Sequence, residues 1–150
     1  ILMTTSKSKK KDNGHWNFPE QLDHENAFGF IYLIKDTTTG MMYIGKKIFR
    51  GNGKLNKGKP SNWRTYTSSS RDINALIEEN GIDSFEFHVL EQYYTRGGLS
   101  WAETWSQCFV EVPTNNHIWY NRFIDRVQWR SSEIVSLRHR KRLNKLAGLK

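Results

Sequence analysis

The chain has 150 residues, 37% of them apolar and 13% aromatic, and its formal net charge is +8. This length and apolar content suit one folded domain with a modest core, and the excess of Lys and Arg favours a polyanionic partner such as nucleic acid over a basic protein that has none. The single cysteine, Cys108, excludes an internal disulfide and a cysteine-based zinc site, and no apolar run approaches the roughly 18 residues of a membrane span, so we expect an intracellular protein without membrane contact.

The sequence pattern divides the chain into three parts. Residues 1–26, which include a lysine-rich stretch, are predicted to be a flexible basic segment. Residues 27–130 alternate strand-like and helix-like patterns and are predicted to form a small α+β domain. Residues 131–150 are predicted to be a basic C-terminal helix.

Aromatic and β-branched residues at 27–35 and 40–49 predict the two strands of a β-hairpin. If four residues form the loop between them, the register places Tyr32 directly opposite Tyr43. Directly opposed residues share a face of the sheet with Cβ atoms about 5 Å apart, whereas a slip of one residue would separate them. The pair is either a cross-strand aromatic contact that stiffens the hairpin or two phenols placed for chemistry.

A glycine- and lysine-rich segment at 50–60 follows the hairpin and is predicted to be a mobile basic loop. Its glycine spacing fits no phosphate-loop fingerprint, so it indicates no nucleotide site. The loop is either a solvated connection or a DNA contact. The candidate contacts, including one lysine from the hairpin, are Lys47, Arg50, Lys54, Lys57 and Lys59.

One more strand and two helices are predicted downstream. Ser70 caps a helix that ends at Asn80, and alternating apolar residues at 84–90 predict the third strand of an antiparallel three-stranded sheet. Ser100 opens the next helix, whose apolar stripe is expected to be buried. That stripe comprises Trp101, Trp105, Cys108, Phe109 and Val112.

A final helix is predicted from Ser131 or Ser132 toward Leu146. Basic side chains would ring its axis, which fits either a helix lying against phosphates or a solvated segment. We expect them to add sequence-independent affinity rather than base reading. The candidates are Arg138, Arg140, Lys141, Arg142 and Lys145.

Five features in this order resemble the GIY-YIG nuclease superfamily over roughly residues 27–123. The first motif stands as Phe30-Ile31-Tyr32, with Phe in place of Gly, and the second is Tyr43-Ile44-Gly45. An Arg, a Glu and an Asn follow in the family, and the matching positions here are Arg64, Glu103 and Asn121. The resemblance implies a divalent-metal-dependent enzyme, with Mg²⁺ or Mn²⁺ as cofactor, that cuts phosphodiester bonds in DNA.

Glu103 is the metal ligand that the resemblance implies. Mg²⁺ takes oxygen ligands and often uses only one or two protein carboxylates. In the predicted helix Glu103 points away from the apolar stripe, which suits an open groove or plain solvent. The alternative is structural, because Ser100 and Glu103 have the spacing of a capping box. Glu91, at the end of a strand, is interpreted as a surface charge.

The resemblance makes Tyr32 the general base that acts on the attacking water, and Tyr43 a group that positions the water or the phosphate. An isolated phenol has a pKa of about 10, so a base near neutrality needs neighbouring cations that lower this pKa. Lys46, Lys47 and Arg64 are expected to supply that field.

Arg64 has the fork geometry for bidentate phosphate contact. Many family members carry a His shortly after this Arg, and here Tyr66 occupies the neighbouring position and is expected to take that part. Asn121 is expected to hold the site together by bonding to backbone, as a buried structural Asn would also do. The predicted site therefore comprises Tyr32, Tyr43, Lys46, Arg64, Tyr66, Glu103 and Asn121.

The sequence thus predicts a free-standing homing-type or phage-encoded DNA endonuclease. A restriction endonuclease of the same fold is the alternative enzyme, and a catalytically silent DNA- or RNA-binding module on this scaffold is the alternative from another class. One strand-cutting centre does not readily cut both strands at once, so we expect sequential nicking or a transient homodimer.

Overall fold

The computed structural model describes residues 11–124, 126–127 and 130–149. Three strands and three α-helices follow one another in this part of the chain, and none of its helices is long and apolar enough to cross a membrane. In chain order they are β1 (Gly29–Asp36), β2 (Met42–Ile48), α1 (Arg71–Asn80), β3 (Phe85–Tyr93), α2 (Arg96–Phe109) and α3 (Leu137–Leu146). The predicted α+β class is confirmed.

The strands form one antiparallel sheet in the order β2-β1-β3, with β2 at an edge. The hairpin register differs from the predicted one, since Lys35 pairs with Met42 and Tyr32 lies opposite Gly45 rather than Tyr43. The loop is longer than the four residues assumed, which shifts the pairing by an even number of positions. An even shift preserves the face, so the two tyrosines still share it, with ring centroids 6.3 Å apart.

A hydrophobic core lies on each face of the sheet. On the face that carries Tyr32, the core includes Trp63 and residues from the N-terminal segment and α1. On the face that carries Ile31, it includes residues from α2 and α3. Successive side chains of β1 point to opposite faces of the sheet, so they are buried alternately in the two cores. This explains why the sequence of the strand is a continuous apolar run.

The prediction that residues 1–26 form a flexible segment is wrong from residue 11 onward. Trp16, Phe18 and Leu22 are buried in the core on the Tyr32 face, and the Trp16 indole N–H donates a 2.6 Å hydrogen bond to a backbone carbonyl. Full burial of one such side chain stabilises the folded state by about 2 kcal/mol. Three buried side chains therefore keep this segment ordered despite the polar residues between them. The first ten residues lie outside the described part of the chain.

Helix α1 begins and ends as predicted. The Ser70 hydroxyl accepts a hydrogen bond from the Ile73 N–H at the start. Gly81 follows the last helical residue with φ of 87°, a conformation that favours glycine at a helix end.

Helix α2 differs from its prediction in both start and orientation. It begins at Arg96 with Thr95 as its N-cap, so Glu103 lies inside the helix and does not belong to a capping box. The predicted apolar stripe faces outward in part: Trp101 is 38% and Phe109 48% exposed. The buried face consists instead of small and polar side chains together with one leucine, namely Leu99, Ala102, Glu103, Ser106 and Gln107.

Helix α3 begins at Leu137, later than predicted, and the Ser136 hydroxyl caps it by accepting from the His139 N–H. Its Arg138 guanidinium donates hydrogen bonds of 2.7 and 2.9 Å to both oxygens of Glu91. Burial alone would raise the pKa of Glu91, but the hydrogen bonds from Arg138, the Gln92 N–H and Ser136 outweigh it and lower the pKa. Glu91 is therefore a buried ion-pair partner of α3, and its interpretation as a surface charge is wrong.

Candidate active site

The outer edge of β2 is covered on both sides of a gap at Lys46. Met42 exchanges backbone hydrogen bonds with the segment around Trp119, and the Ser61 hydroxyl donates to the Ile48 carbonyl. The period of two along the strand places the next outward-facing backbone groups at Lys46. No segment in the described part of the chain pairs with them, so the sheet edge is open there.

Asn121 closes the covered part of this edge with its side chain. Its amide oxygen accepts from the Ile44 N–H at 2.9 Å, and its amide nitrogen donates to the Ile44 carbonyl at 2.8 Å. The side chain thereby imitates a neighbouring strand for one residue, which satisfies both buried backbone groups. This is the backbone-holding contact expected for Asn121, and it fixes where the open edge begins.

Three phenols gather beside the gap. The Tyr32 ring lies over Gly45, where an added Cβ would be 2.3 Å from the Tyr32 hydroxyl. The Tyr32 ring centroid is 6.3 Å from that of Tyr43 and 6.1 Å from that of Tyr66. The three tyrosines named from the sequence are therefore neighbours.

The Tyr32 phenol is not acidified in the free protein. Tyr32 is 1% exposed, and this burial raises its pKa well above the usual range; the neighbouring phenols and Glu103 add to the rise. The expectation that cations would lower this pKa is wrong for the free protein, because desolvation of the phenolate outweighs them. Tyr32 is a protonated hydrogen-bonding group at neutral pH.

Glu103 reaches the same edge from the opposite face of the sheet, because α2 packs on the Ile31 side. Its side chain is 5% exposed, and its Oε1 lies 3.3 Å from the Lys46 Nζ. A carboxylate buried to this extent needs a cationic partner, which Lys46 supplies. Gln107, one turn further along α2, donates to the Ile44 carbonyl at 3.3 Å and links the helix to β2.

Two grooves meet at Lys46. The first, of about 620 Å³, is the edge groove. Five of the seven predicted site residues line it, namely Tyr32, Tyr43, Lys46, Glu103 and Asn121, together with Gly45 and others. The second, of about 580 Å³, is the basic groove; its lining includes Lys46, Lys47, Tyr66, Arg96 and Arg126. A polyanion lying across both would pass the gap in the sheet edge.

Lys47 contributes to the basic groove through an aromatic contact. Its Nζ lies 4.0 Å from the centroid of the Tyr66 ring, a cation–π arrangement. Burial lowers the pKa of Lys47.

Arg64, predicted as the phosphate-binding arginine, does not line either groove. Its Nε donates to Asp12 at 3.1 Å, and its guanidinium lies 4.4 Å from the centroid of the Trp63 ring. Arg71, the first residue of α1, lines the edge groove instead. Arg64 was selected by the order of motifs alone. The predicted helix start at Ser70 is the sequence signal for Arg71, because Arg71 is the first residue of that helix.

Several predicted DNA contacts hold the fold together instead. Arg50 donates to the carbonyls of His24 and Glu25. Arg138 pairs with Glu91, and Arg142 donates to the Val89 carbonyl at 2.8 Å. The predicted cations that remain exposed are Lys54, Lys57 and Lys59 on the loop and Arg140, Lys141 and Lys145 on α3.

The donor set fits a hard divalent cation that shares its ligands with a substrate. Mg²⁺ is commonly held by one or two protein carboxylates, with water and phosphate oxygens completing its shell. Glu103 is such a carboxylate, at the wall of a groove large enough to admit a phosphate. Residues 11–124, 126–127 and 130–149 contain no group of three or more His, Cys, Asp or Glu side chains that could hold a metal by themselves.

Comparison with known families assigns this fold to a superfamily. The chain matches, over residues 14–124, the family described as "Putative endonuclease segE, GIY-YIG domain". No curated protein and no solved structure matches it. The matched range contains all three strands, α1 and α2, and every residue of the predicted site. The chain therefore belongs to the GIY-YIG nuclease superfamily.

Proposed function

We propose that the protein is a metal-dependent DNA endonuclease. The observation that carries this proposal is the convergence at one open sheet edge of a buried carboxylate, an ammonium group and three phenols. Glu103 and Lys46 lie 3.3 Å apart there, beside Tyr32 and its neighbours. The family description names an endonuclease, which supports cleavage within a strand rather than from its end.

Glu103 is the residue that would hold the divalent cation, Mg²⁺ or Mn²⁺. The bound cation would supply Lewis-acid stabilisation of the charge that develops on the phosphate oxygens. Lys46, which pairs with Glu103 in the free protein, adds a second positive charge at the same place. Arg71, which also lines the edge groove, offers a planar fork for a phosphate.

Tyr32 orients the attacking water through its hydroxyl. Because burial keeps this phenol protonated in the free protein, its action as the general base requires the charges of the bound complex to reverse the shift. Tyr66, whose ring lies beside that of Tyr32, takes the place of the histidine of other family members. Tyr43 lines the edge groove and positions the water or the phosphate.

The DNA backbone lies across the edge groove and the basic groove. Lys46 lines both, and Lys47, Arg96 and Arg126 extend the positive charge along the basic groove. These contacts are sequence-independent and fall off steeply with salt. The exposed lysines of the 50–60 loop and of α3 add to this attraction.

As biological setting we propose a free-standing homing-type or phage-encoded nuclease, with restriction as the alternative. A restriction enzyme must spare modified DNA, so cleavage of unmodified and methylated forms of one plasmid separates the two. One site of this kind cuts one strand, so double-strand breaks would require sequential nicking or a transient homodimer. Concentration dependence of the double-strand product distinguishes these routes.

Conversion of supercoiled plasmid to open-circle DNA tests the proposed activity. We expect nicking with Mg²⁺ or Mn²⁺ and none in EDTA. A matched supercoiled sample without protein controls for spontaneous nicking. Plasmid binding in a gel-shift assay without cleavage in either metal would contradict the proposal and favour the catalytically silent nucleic-acid-binding module.

A further inference from the structure

Phe123 is a large apolar side chain displayed at the wall of the edge groove. It is 70% exposed and lines the same groove as Glu103 and Tyr43. Other large apolar side chains in the described part of the chain are also exposed, but Phe123 is the one among them that lines this groove. Single exposed apolar residues are common on protein surfaces, so the surroundings of Phe123 decide its meaning.

The residues on either side of Phe123 are anchored. Asn121 holds both backbone groups of Ile44, and Arg122 donates hydrogen bonds of 2.9 and 3.2 Å to the Asp72 carboxylate at the start of α1. Ile124 packs against the core on the Ile31 face. These contacts hold Asn121, Arg122 and Ile124 in place. The phenyl ring of Phe123 points outward between them, whereas the side chain of Ile124 packs inward.

The charge around the ring identifies its partner. Arg71 and Lys46 line the same groove as Phe123, and the basic groove continues the positive charge beyond Lys46. An apolar ring among cations does not suit an apolar protein surface. It suits a nucleic acid, whose phosphates pair with the cations and whose bases offer flat faces for stacking.

We propose that Phe123 stacks on a base beside the cleaved phosphodiester and opens that base step. The inference rests on the proposed nuclease function. Apolar side chains that enter a duplex this way unstack one step and kink the DNA. The step that opens most easily is cut fastest, so the preferred substrate is DNA that is underwound or weakly stacked at the cleavage position.

One plasmid in two topological forms tests this role without knowledge of the target sequence. Negative supercoiling supplies part of the unwinding that Phe123 would otherwise supply, whereas relaxed closed circles do not. We expect Phe123→Ala to slow nicking of the relaxed form about 10-fold or more, because stacking on one base contributes that much. Nicking of the supercoiled form should slow less than about 3-fold, and Phe123→Tyr should keep both rates.

Phe109→Ala is the matched control, since Phe109 is an exposed aromatic on the outer side of α2; both rates should equal those of the native chain. Equal slowing of both plasmid forms by Phe123→Ala, or no slowing of either, would overturn the proposal. Permanganate reactivity of thymines in plasmid bound in EDTA gives a readout that needs no cleavage. New reactive thymines with the native chain and none with Phe123→Ala support the stacking role even if nicking fails, and identical patterns contradict it.

Discussion

At the residue scale, Gly45 has a steric role that the motif alone does not reveal. The Tyr32 hydroxyl occupies the position where a side chain at residue 45 would lie, 2.3 Å from an added Cβ. The glycine therefore lets the phenol reach the open edge of β2. The two motif halves are coupled by this contact rather than by direct opposition of their tyrosines.

Gly45→Ala is expected to displace the Tyr32 ring and reduce nicking. Overpacking of a buried contact costs about 1–3 kcal/mol, so the free energy of unfolding measured in urea should fall by that amount. Gly53→Ala is the control, because an added Cβ at residue 53 meets no atom within 4 Å. Equal stability and activity of the two variants would contradict the coupling.

Tyr32 also makes a spectroscopic prediction. Because burial raises its pKa, the phenol should contribute no tyrosinate absorbance at neutral or mildly alkaline pH in the free protein. Titration at the tyrosinate band should give the same curve below about pH 10 for the native chain and for Tyr32→Phe. An ionisation in this range that Tyr32→Phe removes would show that the cations control this phenol after all.

At the element scale, small residues on the buried face of helix α2 allow the Glu103 carboxylate to reach β2. The segment at Arg130 approaches the helix closely at Gly97, where an added Cβ would clash with the Arg130 carbonyl oxygen. Ala102 and Ser106 are buried, and Glu103 and Gln107 on the same face contact Lys46 and Ile44 of β2. If α2 buried the predicted apolar stripe against the sheet instead, Glu103 would point to solvent.

Among the basic side chains of helix α3, Arg138 is expected to contribute to the stability of the fold, whereas the exposed ones are not. Arg138→Gln leaves Glu91 buried without its bidentate partner. The loss should be about 2 kcal/mol, less than for a fully buried pair because Arg138 is partly exposed. Lys141→Gln, on the exposed side of the same helix, should leave urea unfolding unchanged. Similar urea midpoints for Arg138→Gln and Lys141→Gln would contradict this difference between the two residues.

At the scale of the whole molecule, a buried polar chain joins three elements. The Tyr93 hydroxyl of β3 lies 2.9 Å from His139 Nδ1 of α3, and His139 Nε2 lies 2.7 Å from the Ser106 hydroxyl of α2. Ser106 in turn donates to the Ala102 carbonyl. His139 is fully buried, and this burial lowers its pKa to about 3.

The buried His139 predicts acid sensitivity of the fold. The unfolded chain takes up this proton near pH 6.5 and the folded chain only near pH 3, so the stabilisation is complete above pH 6.5 and declines as the pH falls. Between pH 7.5 and 5 the free energy of unfolding should drop by about 2 kcal/mol from this group. His139→Gln should flatten the profile, whereas exchange of the exposed His117 should not. A profile unaffected by His139→Gln would contradict the assignment.

The sequence predicted the parts of this molecule that local chemistry determines. The hairpin, the Ser70 cap and the shared face of Tyr32 and Tyr43 follow from alternation and capping, and they are present. The predicted start of α2 at Ser100 differs from the observed start because two glycines of low helix propensity occupy the first turn of the helix. The order of motifs selects Arg64, and its pairing with Asp12 is a tertiary contact that no local pattern contains.

The proposed function depends on Glu103 at the open edge of β2, which would support phosphodiester cleavage. The direct measurement is the rate of supercoiled plasmid nicking in Mg²⁺ by the native chain, Glu103→Gln and Glu111→Gln, with plasmid binding measured alongside. Glu103→Gln should nick at least about 100-fold more slowly and still bind plasmid, while Glu111→Gln, exposed beyond the end of α2, should match the native chain. Nicking by Glu103→Gln at the native rate would contradict this role of Glu103.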